Sequence, residues 1–305
     1  LSVYRTIKSK FQSFIQGLIF SDIYITLGAI GFAIVNFNLL KIDIFQHKIL
    51  LVVIGSATMF IYQFSRWTFF KNLQNTMTKD LLYYWMSDNK NFVTLLLSLS
   101  VLCGFVSIFF IKIETTLTLI ILGIISVLYN ISIPLGGGNS FTFRRIPFAK
   151  ICMIAIVWAA MAVLLPWIEE HGLEWNIPMI RLFGLQFLFI FIITLPFDIN
   201  DMDVDHIDGL RTIPIHLGLR DSKILLSVLS FVYIMLFTNW ILEFYPNDVH
   251  KIIFILGISA LILSLLYKTL RWSYRANKWE IMLWYDGSLI LYFMIYYISE
   301  FLVLR

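Results

Sequence analysis

Nine stretches of the 305-residue chain are apolar for long enough to cross a bilayer, since a helix needs about 20 mostly apolar residues to span the hydrocarbon. They lie near residues 16–40, 48–65, 91–111, 115–131, 149–168, 179–197, 223–244, 251–268 and 281–302. Composition agrees with a chain immersed in lipid: 59% of residues are hydrophobic and 14% charged, against about half and a quarter in soluble domains. The same figures exclude a disordered, collagen-like or disulfide-stapled chain. The expected architecture is all-α and polytopic, with nine transmembrane helices around a central cavity, forming one domain over residues 1–305. Its loops near 66–90, 132–148, 198–222 and 269–280 are expected to cap one end.

When alternate loops are assigned to opposite sides, the basic residues separate. The segment holding Arg5, Lys8 and Lys10 groups with the loops around Arg66 to Lys90, Arg144 to Lys150, Arg211 to Lys223 and Lys268 to Lys278, and together they hold 17 of the 23 Lys and Arg. The other side has Lys41, Lys48, Lys112, Arg181, Lys251 and Arg305, with the acidic loop Glu169, Glu170 and Glu174. The positive-inside rule therefore places the amino terminus in the cytoplasm and the carboxyl terminus across an inner membrane. The first apolar run is too long for a signal peptide and lacks a small-residue cleavage pattern, so it is expected to be retained.

Basic residues spread over short loops do not form the stripe that nucleic acid requires. Cys103 and Cys152 lie inside apolar runs, where a thiol is a small hydrophobe. Gly136 to Gly138 lack the following Lys-Ser or Lys-Thr of a P-loop, and the histidines show no zinc-binding spacing. Asp22 and Asp286 are isolated acids in or near apolar runs. Such groups usually face the interior of a bundle, and a helix–helix contact is the simpler reading of Asp22, with a general base for an acceptor as the other.

Chemistry concentrates in Pro196-Phe-Asp198-Ile-Asn200-Asp201-Met-Asp203-Val-Asp205-His-Ile-Asp208-Gly209-Leu-Arg211-Thr212-Ile-Pro214. Five of twelve aspartates fall in these eleven positions from 198 to 208. A helix continuing past the membrane edge would set Asp198, Asp201 and Asp205 on one face. Carboxylates so placed repel one another unless a cation joins them. Their hard oxygens suit magnesium, which commonly bridges to substrate phosphates. A solvated acidic loop capping a helix is the competing reading.

The pattern Asp198-x-x-Asp201-x-x-x-Asp205-x-x-x-Gly209-x-x-Thr212-x-Pro214 resembles the second aspartate-rich motif of UbiA-type intramembrane prenyltransferases, and its place after the sixth of nine apolar runs resembles that family's layout. The resemblance implies magnesium held by Asp198, Asp201 and Asp205, a polyprenyl diphosphate as donor, and a lipophilic acceptor that captures the allylic cation. It also implies that a basic residue entering the fifth span, Lys150 first and Arg144 next, contacts the diphosphate.

Where the family's first motif should close the second span, the sequence reads Tyr62-Gln63-Phe-Ser-Arg66-Trp67-Thr-Phe-Phe-Lys71. Gln63 stands for the family's Asn, and Trp67 and Lys71 for its aspartates. An arginine fork and a lysine point charge can neutralise phosphate as a second metal would. The expectation is thus a one-sided metal site, with Gln63, Arg66 and Lys71 on the diphosphate. Three further readings stay open: a cyclase using the same donor, a non-catalytic isoprenoid-binding subunit, and, less favoured, a transporter.

Overall fold

The computed structural model of the protein describes residues 12–73, 81–130, 133–136, 139–141, 146, 148–207, 209–246, 248–271 and 277–303. Each predicted apolar run lies on a helix. They are α1 (Gln12–Phe20), α2 (Ile23–Leu39), α3 (Lys48–Leu73), α4 (Leu81–Asp88), α5 (Lys90–Ile108) and α6 (Ile113–Asn130). Then follow α7 (Ala149–Ala159), which runs through a π-helical turn (Ala160–Leu164) into α8 (Leu165–His171), and α9 (Ile177–Asn200). The chain ends with α10 (Met202–Ile207), α11 (Ile213–Phe244), α12 (Val249–Arg271), α13 (Lys278–Tyr285) and α14 (Gly287–Val303). A small antiparallel hairpin, β1 (Ile133–Gly136) and β2 (Asn139–Phe141), pairs Ile133 with Phe141 in a segment the sequence marks only as a loop.

Among the described residues, seven helical segments are long and apolar enough to cross a membrane unaided. The bent pair α1 and α2 makes an eighth, and the apolar part of α6, Ile113–Leu128, is shorter. The protein is an integral membrane protein. The first apolar run is not the single straight helix its hydropathy predicts, because α1 and α2 meet at 70°. Asp22 sits at that break with φ 60°. Its short polar side chain tolerates the left-handed region better than the β-branched and aromatic residues around it. The last apolar run, Trp279–Val303, continues through Asp286, which keeps helical angles (φ −66°, ψ −36°) between α13 and α14.

The interior is built from rings. Phe32 of α2, Phe189 of α9, Tyr233 and Phe237 of α11, Phe254 of α12 and Tyr292 of α14 touch with centroids 5.0–5.7 Å apart. Edge and tilted contacts of this kind add to the area they bury. The bundle holds the cavity the sequence reading expects, beside these rings. This cavity, of about 590 Å³, lies to one side, between α3, α6 and α7. The π turn carries the small residues Ala160 and Ala162, packs against α2 and α9, and sets Met161 on the cavity wall.

The aspartate-rich segment has a local logic. The Asp201 amide still donates to Phe197 O, so α9 closes on its cap, and the Asp205 amide donates to Asp201 O to continue into α10. Gly209, at φ 69°, ends α10: its amide returns to His206 O, and that of Leu210 to Asp205 O. A left-handed glycine after a helix satisfies the last carbonyls at no Cβ cost. Thr212 and Pro214 then open α11 at its cap and first turn, where proline's fixed φ and missing N–H fit.

Candidate functional site

Two buried carboxylates converge at the basic end of the bundle. Asp198, in the last turn of α9, is 1% exposed, and Asp205, on α10, is 2% exposed. Between them comes Lys150 from the first turn of α7, its Nζ 2.7 Å from Asp198 Oδ1 and 2.9 Å from Asp205 Oδ2. The start of α7 is fixed there by the Phe148 amide, which donates to Arg211 O across the loop. One ammonium between two carboxylates leaves the trio one negative charge in excess, and Asp201 stands within electrostatic reach of Asp198. Charges removed from water are costly unless paired. Asp198 Oδ2 nonetheless accepts no hydrogen bond from any described residue.

The single acidic face predicted from the spacing is therefore interrupted: α9 stops at Asn200, Asp201 is its partly exposed cap, and Lys150 occupies the space between the other two. Among the described residues, no three acidic, histidine or cysteine side chains stand close enough to enclose a metal ion. Two carboxylates with an orphaned oxygen do fit magnesium, which takes one or two protein carboxylates and completes its shell from substrate phosphates and water.

Gln63 and Arg66 belong to a second cluster. Arg66 Nε lies 2.6 Å from Asp22 Oδ1 at the α1–α2 break, and its Nη2 donates to Ile19 O at 3.1 Å. Gln63 Nε2 donates to Ser21 O at 2.7 Å. Asp286, between α13 and α14, stands within electrostatic reach of both Arg66 and Asp22. Tyr24 holds the two segments together by donating to Leu283 O at 3.0 Å. A Cβ at Gly287 would come 2.2 Å from the Tyr24 hydroxyl, so only glycine permits that approach. The Lys71 side chain and Arg144, both expected on the diphosphate, lie outside the described residues.

An aromatic contact links the two clusters. Phe197, beside Asp198, meets Tyr285, beside Asp286, with centroids 6.0 Å apart. The cavity wall carries none of these charged side chains; its lining residues nearest to them in sequence are Met153, three positions after Lys150, and Tyr62 and Ser65, beside Gln63 and Arg66. Its wall on α7 is Met153, Ile154, Val157 and Trp158, continued by Met161 of the π turn, a strip that ends roughly 16 Å along the helix from Lys150 at 1.5 Å per residue. Its wall on α3 includes Tyr62, whose ring meets Trp158 edge-on at 6.3 Å and which stands within electrostatic reach of Asp22, Arg66 and Asp286. An apolar trough thus shares helix α7 with one polar cluster and helix α3 with the other, the form of a site for a molecule with a polar head and a long hydrocarbon tail.

Of the residues singled out in the sequence, Asp198, Asp205 and Lys150 meet, and Gln63 and Arg66 meet elsewhere. Sequence reasoning did not connect Asp22 and Asp286 to Arg66. The available signal was their isolation as acids in apolar runs.

The UbiA prenyltransferase family model matches residues 89–293, two thirds of the chain, and the chain belongs to that family. The matched residues begin after the Gln63–Lys71 segment. Among solved structures, the fold is similar to a UbiA homolog from Archaeoglobus fulgidus bound to GPP and Mg2+, at 15% identity and a TM-score of 0.61, covering 92% of this chain and 98% of that one. The same homolog bound to DMAPP and Mg2+ gives 15% identity and a TM-score of 0.59, covering 93% and 96%. A search of curated proteins gives no match.

Proposed function

We propose that the protein transfers a polyprenyl group from its diphosphate to a lipophilic acceptor inside the membrane, with the diphosphate at the Asp198–Lys150–Asp205 trio. The observation that carries this reading is a pair of buried acids sharing one lysine whose helix, α7, also walls an apolar trough, in a chain of the UbiA family. The basic end would face the cytoplasm, where the positive-inside rule puts it.

Magnesium, bound to the similar homolog's structures, would be held by Asp198 and Asp205, with Asp201 at the rim, and would supply charge neutralisation to a departing diphosphate. The chain's own residues do the rest. Lys150 keeps two buried acids from repelling each other and offers a point cation to phosphate oxygen. The trough on α3, α6 and α7 takes the hydrocarbon and keeps water from the allylic carbon. Fixed charges in a dry site stabilise charge developing on the leaving group more strongly than water does.

The test is turnover. Purified protein in lipid nanodiscs, given geranyl diphosphate, magnesium and a membrane lipid extract, is expected to release diphosphate and form a prenylated lipid. Asp198→Asn is expected to slow this by about 10²-fold or more, the scale of lost electrostatic stabilisation. Release without any lipid adduct, but with a cyclised hydrocarbon, would replace transfer by cyclisation. The Arg66–Asp22 pair, standing where the family's first motif should be, favours a non-catalytic isoprenoid-binding subunit as the second reading. That reading predicts no diphosphate release with any acceptor.

A further inference from the structure

Lys150 stands at the head of the stripe that walls the trough. Lys150, Met153, Ile154, Val157, Trp158 and Met161 fall at i, i+3, i+4, i+7, i+8 and i+11, the spacing of a single helix face, and all but the lysine line the cavity. The other two walls have matching depth. The lining runs from Met153 to Met161 along α7 and the π turn, from Ser65 back to Ala57 on α3, and from Leu128 back to Leu119 on α6, about 12–14 Å each at 1.5 Å per residue. His47, just before α3, and Lys112, just before α6, both meet Glu170 of α8. Helices α3 and α6 therefore start at the end where α7 and α8 finish, and Ala57, Leu119 and Met161 mark the deep end of the trough.

The stripe stops at Met161 because of the π turn. The Leu165 amide donates to Ala160 O, five residues back, and the extra residue in the turn rotates the face that follows by about 100°. Leu164 and Leu165 would continue the stripe at i+3 and i+4 from Met161. Neither is on the cavity wall, and Leu165 is fully buried in the bundle. Pro166 follows at once and has no N–H to return to a carbonyl four residues back. Two hydroxyl residues of the wall are turned onto their own helices, Thr58 donating to Ile54 O and Ser126 to Leu122 O, both at 2.8 Å. What the wall offers is apolar surface of fixed depth.

We infer that Met161 is the floor of the trough and limits the donor's tail to three isoprene units. The inference deepens the prenyl-transfer reading and rests on it. An isoprene unit sets four carbons along the chain, about 5 Å when extended with carbon–carbon bonds near 1.5 Å. From Lys150, where the diphosphate would sit, to Met161 is roughly 16 Å along the helix. A farnesyl tail reaches the floor, a geranyl tail stops one unit short, and a geranylgeranyl tail has one unit too many. Each added unit gains by burial until the floor is met. Met161 is then a specificity-determining residue that closes the trough with a thioether side chain suited to an irregular gap.

The test measures the Kd of geranyl, farnesyl and geranylgeranyl diphosphate, each with magnesium, for the full chain in lipid nanodiscs, with partition into empty nanodiscs subtracted. Farnesyl diphosphate is expected to bind about tenfold or more tighter than geranyl, and geranylgeranyl within about threefold of farnesyl or weaker. Geranylgeranyl tighter than that, or equal affinity for all three, would overturn the floor. Met161→Ala is expected to make geranylgeranyl bind about tenfold tighter than farnesyl, and Met161→Trp to bring farnesyl down to the affinity of geranyl. Both variants keeping the wild-type order would also overturn it. The wild-type series decides the matter even where a variant does not fold. Transfer from all three donors with equal Kd would leave prenyl transfer standing and remove the floor. A stepped affinity series with no turnover on any acceptor would keep the floor and remove prenyl transfer.

Discussion

At the end away from the basic loops, charged side chains close on each other. Glu170 pairs with His47, its backbone carbonyl accepts from Lys112 Nζ at 3.0 Å, and Glu169 accepts from the Lys112 amide. Arg181 Nη1 donates to both oxygens of Glu243, at 2.7 and 2.9 Å. Lys251 is buried, yet its Nζ reaches His250 Nε2 and the Tyr296 hydroxyl, both at 2.9 Å, and lies over the Tyr296 ring. Beside it Tyr245, lying between α11 and α12, has its phenol pushed above the ordinary range by burial and by the charge of Asp248. At the basic end the pattern reverses. Among the described residues, the charged side chains that keep a buried polar atom without a hydrogen-bond partner are Asp22, Arg66 and Asp198, all at that end. At one end the charged side chains are finished by their own contacts, and the unpartnered buried atoms near it, Asn36 Oδ1 and Thr115 Oγ1, are uncharged. The other leaves donors and acceptors for something else to complete, and buried polar groups persist in that state where a ligand or ion completes them.

The contrast can be broken most severely at Lys150. Lys150→Met leaves two buried carboxylates facing each other and is expected to cost about 3–5 kcal/mol, read as a fall in Tm. Magnesium is expected to restore more of the loss in the variant than it adds to the wild type, since the ion then replaces the missing cation. A variant as stable as the wild type would mean that the trio is not a strained, ligand-ready site.

The Arg66–Asp22 pair gives a smaller and more diagnostic effect. Arg66→Met alone is expected to cost about 3 kcal/mol by stranding Asp22, whereas Arg66→Met with Asp22→Asn should recover most of it, because replacing both partners of a buried pair is often near neutral. A double-mutant cycle in chemical denaturation measures the recovery. Additive losses would show that the pair does not act as a unit.

At the finished end the effect should be smallest. Arg181 and Glu243 are partly exposed, and such pairs are worth about 0.2–1 kcal/mol. Arg181→Ala is expected to shift Tm little and to leave binding of prenyl diphosphate unchanged. Loss of diphosphate binding in this variant would erase the difference between the two ends.

The sequence makes the fold legible because hydropathy reports what lipid demands of a helix, run by run. It makes the aspartate-rich turn legible too, since Gly209, Thr212 and Pro214 each meet a local backbone need that depends on nothing distant. The rest depends on packing between remote segments. Hydropathy does not register the turn at Asp22, because one polar residue barely lowers the average of a long apolar run. Spacing brings Asp198 and Asp205 together but says nothing of Lys150 entering between them from another helix. Arg66, read as a phosphate ligand from its place on α3, meets an acid on another helix, and Asp286 joins them from near the far end of the chain.

The most direct measurement is the affinity of geranyl diphosphate for the wild type and for Asp198→Asn, titrated calorimetrically with magnesium and again with EDTA. Tight binding that requires magnesium and weakens by about tenfold or more in the variant is the predicted result, each tenfold corresponding to about 1.4 kcal/mol. Equal affinity in both proteins, with or without the ion, would show that the diphosphate does not sit at the Asp198–Lys150–Asp205 trio.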